Sequence, residues 1–247
     1  MFDRYYFRIN VTLIIVMLIL VGVFVKLGFW QLYRASEKQK IEEEIKYSSN
    51  LPPLILNEVE DSKPKYRFRK AIVSGKYLYE NNIYLDGKKY QNDIGYEVLT
   101  PLLIDGTENL QVFVNRGWVK MDGNGEKLPA VYTPKGKIKV NGTIVFSTPP
   151  PFIKLPSTDI ERDWGERWPF LDIDYYTAQH DAKVLPFFIQ QSPEDQNSFI
   201  RQWPAFNAKY FMHIGYAIQW FVFAVITILV YLGLSIVQKN NTTRINQ

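Results

Sequence analysis

Two histidines, His180 and His213, carry most of the chemistry that the 247-residue chain could support. The sequence has no cysteine, which excludes thiolate catalysis, cysteine-ligated zinc and iron–sulfur clusters. His180 stands beside Asp181 at the polar end of a short predicted helix, and the sequence has no GxSxG, HExxH, Walker or GxGxxG motif. We therefore expect His180 to be a surface residue and the protein to have no catalytic activity of its own.

His213 stands at the mouth of a long apolar segment, where an ionisable side chain is costly unless it has a partner or a function. At helical spacing, one stripe contains His213, Ala217, Trp220 and Ala224, with Tyr216 beside it. The two alanines leave room for a flat ligand or for a partner helix. An imidazole there suits the iron of a porphyrin, which takes an axial nitrogen. The alternative is a histidine that only packs and hydrogen-bonds within a belt of interfacial aromatic residues.

Two apolar segments must position these residues. Residues 9–25 and residues 214–237 contain no charged side chain, and the first apolar pattern resumes after Lys26. At about 1.5 Å per residue, each segment can cross a hydrocarbon core of about 30 Å as a helix. We predict transmembrane helices over residues 9–33 and, with its approach, residues 206–237. A cleaved signal peptide is the alternative for the first segment, but no small-x-small cleavage site follows it.

The charges at the two ends of the chain indicate an orientation. Arg4 and Arg8 precede the first helix, and Lys239 and Arg244 follow the second, which predicts two cytoplasmic tails, residues 1–8 and residues 238–247. The short first tail leaves no room for a mitochondrial import sequence, so we expect a bacterial inner membrane and a periplasmic central domain. The net charge of +4 is too small to indicate nucleic acid as a partner. Membrane lipid is the expected surroundings of both helices.

The central part of the chain predicts a β-rich domain. Residues 34–46 have the charge of a helical extension, and residues 47–205 change to short strands and turns. Turn dipeptides occur at Asp86-Gly87, Asp105-Gly106, Asp122-Gly123, Asn124-Gly125 and Asn141-Gly142. Strands are predicted at Tyr66 to Val73, Asn82 to Leu85, Ile94 to Leu99, Leu110 to Asn115, Lys137 to Phe146 and Val184 to Gln190. Asp172 or Asp174 could cap a helix over Tyr175 to His180, and Ile153 to Trp168 is typical of a loop.

The predicted fold class is therefore a membrane protein in which two transmembrane α-helices flank a β-rich, α+β extracytoplasmic domain, either an antiparallel sheet or barrel-like. Four segments in this order resemble the Surfeit locus protein 1 family of cytochrome c oxidase assembly factors. They are Leu27 to Lys38 (LGFWQLYRASEK), Gly95-Tyr96 with Thr100-Pro101-Leu102, Val114 to Val119 (VNRGWV), and His213 to Phe221 (HIGYAIQWF). Lys120 and Glu37 depart from the family pattern, which usually has proline and often an aromatic residue at these positions.

The resemblance implies a chaperone that binds haem a transiently and helps to deliver it to the catalytic subunit of the oxidase, with His213 as the iron ligand. Haem a synthase is a further partner expected from it. We hypothesise that Tyr216, Trp220 and Trp30 enclose the macrocycle, and that Arg34 or Arg116 pairs with the haem propionates. Arg116 could instead be a structural hydrogen-bond donor. The alternative function is a membrane scaffold that stabilises an oxidase subunit without binding haem.

Overall fold

The computed structural model describes residues 5–58, 66–123, 125–149, 164–194, 199–203 and 209–238. In chain order the elements are β1 (Tyr5–Phe7), α1 (Val11–Asn50), β2 (Leu54–Ile55), β3 (Lys70–Tyr77), β4 (Ile83–Tyr90), β5 (Asp93–Ile104), β6 (Leu110–Lys120), β7 (Lys137–Val145), β8 (Arg167–Trp168), α2 (Ile173–His180), β9 (Lys183–Gln191), α3 (Tyr210–Ser235) and β10 (Ile236–Gln238). The chain forms two compact units. The helical unit comprises Met1–Glu43 and Phe206–Gln247, and the β unit comprises Glu44–Ala205.

The helical unit contains α3 and most of α1. The side chain of Asn10 caps the N-terminus of α1. Its Oδ1 accepts hydrogen bonds from the backbone N–H groups of Thr12 (3.1 Å) and Leu13 (3.3 Å). Both helices are long and apolar enough to cross a membrane by length and composition. The predicted span and its charged extension form one uninterrupted helix of 40 residues. A short antiparallel ribbon of β1 and β10 joins the start of α1 to the end of α3, with Phe7 opposite Ile236.

The β unit is built on one sheet whose strands follow the order β2-β3-β7-β9-β6-β5-β4-β8. The long strand β5 pairs with β4 along its first half and with β3 along its second half, so β3, β7, β9, β6 and β5 close into a barrel. Most pairs are antiparallel, whereas β6 and β9 run parallel. The barrel interior is filled by aliphatic and aromatic side chains, among them Val73, Leu102, Val114, Phe187 and Ile189.

A second apolar cluster lies between the sheet and α2. Phe113 of β6 meets the ring of Tyr176 edge to face, with the ring centroids 4.8 Å apart. Asp172 caps α2, since its Oδ1 accepts from the backbone N–H of Tyr175 at 3.0 Å. Of the two predicted caps, Asp172 is therefore correct and Asp174 is not. The helix itself begins at Ile173, two residues earlier than predicted.

All six predicted strands are present, but several local predictions are wrong. The first strand covers Lys70–Tyr77 rather than Tyr66 to Val73, because Phe68 turns the chain with a φ of 60°. Asp86-Gly87 lies in a bulge within β4, and Asn141-Gly142 lies inside β7; neither is a hairpin turn. Trp168 belongs to β8, which pairs with β4, although the sequence predicted a loop there. Residues 153–163 of that predicted loop lie outside the described residues.

Candidate functional site

The imidazole of His213 is hydrogen-bonded to the other helix of its unit. Its Nδ1 lies 2.8 Å from Oε1 of Gln31 on α1. A side-chain amide oxygen only accepts hydrogen bonds, so this contact is a hydrogen bond in the tautomer whose Nδ1 carries the proton. When such a ring is neutral, the other nitrogen, Nε2, holds the lone pair that can bind a metal. The site therefore offers one oriented nitrogen ligand on the first turn of α3.

Close packing of α1 and α3 brings Gln31 to His213. Gly28, one turn before Gln31, is buried, and a Cβ at this position would meet Cε1 of Phe221 at 2.6 Å. Deeper in the two apolar segments, Phe24 stacks on Trp220 with the ring centroids 5.8 Å apart. The absence of a side chain at residue 28 thus permits the approach that the hydrogen bond needs.

The stripe predicted on α3 faces the interior of the helical unit. Ala217 and Ala224 are buried, at 1% and 5% exposure, and Trp220 of the same stripe contacts α1. Of the two occupants that the sequence left open for this stripe, α1 of the same chain is the partner helix. Tyr216 and Trp30 lie off this contact face, and their side chains are 48% and 53% exposed.

Arg34 lies one turn beyond Gln31 on α1, in the direction away from the apolar segment. Its Nη1 donates to Oε2 of Glu37 at 2.7 Å, and both side chains are partly exposed. Glu37, one of the departures from the family pattern, is therefore the partner of this arginine. Ion pairs at exposed positions contribute about 0–1 kcal/mol, so the guanidinium can exchange Glu37 for another anion at little cost.

Arg116 lies in the β unit and is fully buried. Its Nη1 donates to Oγ1 of Thr133 at 2.6 Å, and its Nη2 donates to the carbonyl oxygen of Tyr132. The guanidinium also lies over the rings of Tyr77 and Phe199, 5.0 and 4.5 Å from their centroids. Burial lowers the pKa of Arg116 from its usual value. Of the two roles predicted for Arg116, these contacts match the structural hydrogen-bond donor.

His180 lies in the last turn of α2. Its Nδ1 lies 3.1 Å from the carbonyl oxygen of Tyr176, and its ring stacks on the Tyr176 ring with the centroids 4.1 Å apart. Among the described residues, no group of three or more histidine, aspartate or glutamate side chains could hold a metal ion. The ring of His180 therefore contacts the last turn of α2 and has no catalytic partner among these contacts. His180 is exposed, as the sequence predicted.

Gly28 and Gln31 belong to the LGFWQ segment, and their roles were not predicted from the sequence. The signal was present, because the two residues are three positions apart and so share a helix face. Gln31 is also the first uncharged polar side chain after a long apolar run, where a polar group needs a partner. The sequence alone does not show that this partner is His213, which lies 182 residues further along the chain.

Comparison with known proteins identifies the family of this chain. The model of the SURF1 family matches residues 18–225, a range that contains all four of the motifs found in the sequence, and the chain belongs to this family of oxidase assembly factors. A SURF1-like protein of Rickettsia felis is 26% identical over 228 residues, which cover 88% of this chain and 94% of that protein. An uncharacterised SURF1-like protein of Mycobacterium bovis is 25% identical over 130 residues, which cover 51% of this chain and 47% of that protein. The predicted resemblance is thus confirmed.

Proposed function

We propose that this chain is a membrane-anchored oxidase assembly factor that binds haem a through His213 and assists its delivery to the oxidase catalytic subunit. The observation that carries the proposal is the hydrogen bond from Nδ1 of His213 to Gln31. It commits one ring nitrogen to the protein and leaves Nε2 as the ligand. Neutral imidazole is a common axial ligand of haem iron.

The surroundings of His213 suit a flat, largely apolar cargo. His213 is partly exposed at the beginning of an apolar helix, Tyr216 is an exposed ring three residues further along α3, and Trp30 is an exposed ring next to Gln31 in α1. Arg34 offers an exchangeable cation for an anionic propionate. His213 is the only histidine of the helical unit. A single strong ligand favours transient carriage over the tight double ligation of an electron-transfer site.

The proposal includes a membrane topology. Both α1 and α3 cross a bacterial inner membrane, both tails are cytoplasmic, and the β unit is periplasmic. The support is the length and apolar composition of the two helices, with Arg4, Arg8, Lys239 and Arg244 in the flanking tails. In this topology His213 lies at the outer surface of the membrane, where haem can enter laterally from lipid.

The same hydrogen bond also supports a second candidate function. Polar side chains of membrane helices often hydrogen-bond across a helix pair only to hold it together. In that case His213 and Gln31 stabilise the helical unit, and the protein is a scaffold that holds an oxidase subunit without binding haem.

Haem content and subunit association distinguish the two functions. The parent, His213→Ala and His180→Ala are purified in detergent from a bacterial host that makes haem a and the oxidase, and each is assayed for haem a and for the catalytic subunit. If the protein is a haem carrier, His213→Ala should lose haem a and still bind the catalytic subunit, whereas His180→Ala should bind both. A parent without haem a, in a host where haem a synthesis is verified, contradicts the carrier and supports the scaffold.

A further inference from the structure

We propose that Gln31 is a positioning residue for His213: it fixes the tautomer of the imidazole, directs Nε2 toward the ligand and sets how strongly that nitrogen donates. Its effect on haem rests on the proposed function, but its effect on the tautomer does not. Gln31 is therefore expected to act on the iron through His213, without touching the haem.

The amide orientation of Gln31 favours one tautomer of His213. The 2.8 Å contact joins two side chains on different helices, and the acceptor is an amide oxygen that is partly shielded from solvent. An imidazole beside such an oxygen gains a hydrogen bond only when Nδ1 carries the proton. Without Gln31, either nitrogen can carry the proton, and the fraction of the ring that presents a lone pair on Nε2 falls.

Because the partner of His213 is an amide and not a carboxylate, the bound haem should also be easier to release. A histidine ligand that donates to a carboxylate becomes a stronger base and a stronger metal ligand. The amide oxygen of Gln31 accepts the same hydrogen bond without a negative charge, so it orients the ring while strengthening the ligand less. An intermediate strength suits a protein that must give up its cargo.

The first test uses the haem-free protein. The full chain has two histidines, so selective ¹⁵N labelling of histidine yields two ring systems, and His180→Gln leaves only that of His213. In this background we expect ¹⁵N shifts that report a protonated Nδ1 in the parent and in Gln31→Glu. We expect Gln31→Leu to move the proton toward Nε2, and Gln219→Leu, which alters an exposed glutamine of α3, to behave as the parent. A protonated Nδ1 retained in Gln31→Leu overturns the proposal.

The second test uses haem a added to the same detergent-solubilised variants. We expect Gln31→Leu to weaken haem a binding by about 10- to 100-fold, as observed when other hydrogen-bond partners of metal-bound histidines are removed. Gln31→Glu, with a charged acceptor, should lower the midpoint potential of the bound haem relative to the parent. If the parent binds haem a through His213 but all the Gln31 variants share its affinity and potential, the positioning role fails and the proposed function stands. If no variant binds haem a, the proposed function fails and the ¹⁵N experiment alone decides the role of Gln31.

Discussion

Gly28 on α1 lies directly against the ring of Phe221 on α3, and a methyl group at residue 28 would approach Cε1 of that ring to 2.6 Å. The same ring also contacts Phe29 of α1 edge to face, with the ring centroids 5.5 Å apart. Gly28 lies about one helical turn from Gln31 on α1, and Phe221 lies about two turns from His213 on α3. The spacing of the two helices at the candidate site is thus set by a glycine.

Gly28→Ala should therefore destabilise the helical unit. Overpacking of this kind costs about 1–3 kcal/mol, and the shifted helix would also lengthen the contact between Gln31 and His213. Gly22→Ala is the matched control, since no atom lies within 4 Å of a Cβ at residue 22 of the same helix. The measurement is the free energy of unfolding of the full chain in detergent, followed by tryptophan fluorescence. Equal stability of the two variants would contradict the packing described.

Replacement of Arg116 should destabilise the β unit rather than alter ligand binding. Lysine cannot reproduce the planar fork that reaches Thr133 and Tyr132, so Arg116→Lys loses these hydrogen bonds and leaves a buried ammonium without them. The expected loss is about 3 kcal/mol, since hydrogen bonds of charged groups contribute about 1.5–3 kcal/mol each. Arg34→Lys, at an exposed pair, should change stability by less than about 1 kcal/mol. Denaturant titrations followed by near-ultraviolet circular dichroism measure both effects, and a stable Arg116→Lys variant would refute the structural role.

Gly117 allows residues 199–203 to lie on the sheet. The backbone groups of Trp118 and Ile200 exchange hydrogen bonds of 2.8 and 3.0 Å, and a Cβ at Gly117 would meet the Ile200 carbonyl oxygen at 2.8 Å. Gly117 also has a φ of +124°, which side chains disfavour. Gly117→Ala should release this segment and expose Arg201, which is 6% exposed, to trypsin.

We expect cleavage after Arg201 to accelerate by about 5- to 150-fold in Gly117→Ala, because strain and clash of about 1–3 kcal/mol raise the population of the open segment. Gly106→Ala is the control: residue 106 also has a positive φ, of +84°, but no atom lies within 4 Å of its Cβ position. Mass spectrometry of timed digests identifies the cleavage site. Equal cleavage rates in the two variants would mean that Gly117 does not hold the segment.

The β unit should lose stability in alkali. Burial raises the pKa of Tyr176, although its hydrogen bond from Asn81 opposes the shift, and burial likewise raises the pKa of Tyr84. The native state then keeps phenol protons that the unfolded chain releases near pH 10. The free energy of unfolding should consequently fall as the pH rises above about 10 and continue to fall until the native phenols ionise. Urea midpoints between pH 8 and 11 should decline less steeply in Tyr176→Phe than in the parent; identical slopes would contradict the burial argument.

Local sequence patterns predict the elements better than their ends. The two apolar segments can be recognised by their length and composition. The strands can be recognised by β-branched residues, which pack well on a half-buried sheet. Asn141-Gly142 has the composition of a turn, yet it lies within β7, where a Cβ at Gly142 would collide with the Gln190 carbonyl on β9. Only the neighbouring strand shows why this glycine is needed, and that neighbour is distant in sequence.

The candidate site shows the same limit. Helical spacing singled out His213 and its stripe, since that argument needs one helix only. The partner, Gln31, and the burial of Arg116 against Phe199 depend on contacts between segments far apart in the chain. No periodicity within one segment can predict such pairs, so the sequence assigned Arg116 two possible roles and Gln31 none.

The central claim, that His213 is the ligand of a carried haem, is tested most directly by titration of the haem-free, detergent-solubilised protein with haem a, followed by absorption spectroscopy. We predict saturation at one haem a per chain for the parent and for His180→Ala, and no saturable binding for His213→Ala. Binding of haem a by His213→Ala with the affinity of the parent would contradict the claim, as would a correctly folded parent that binds none.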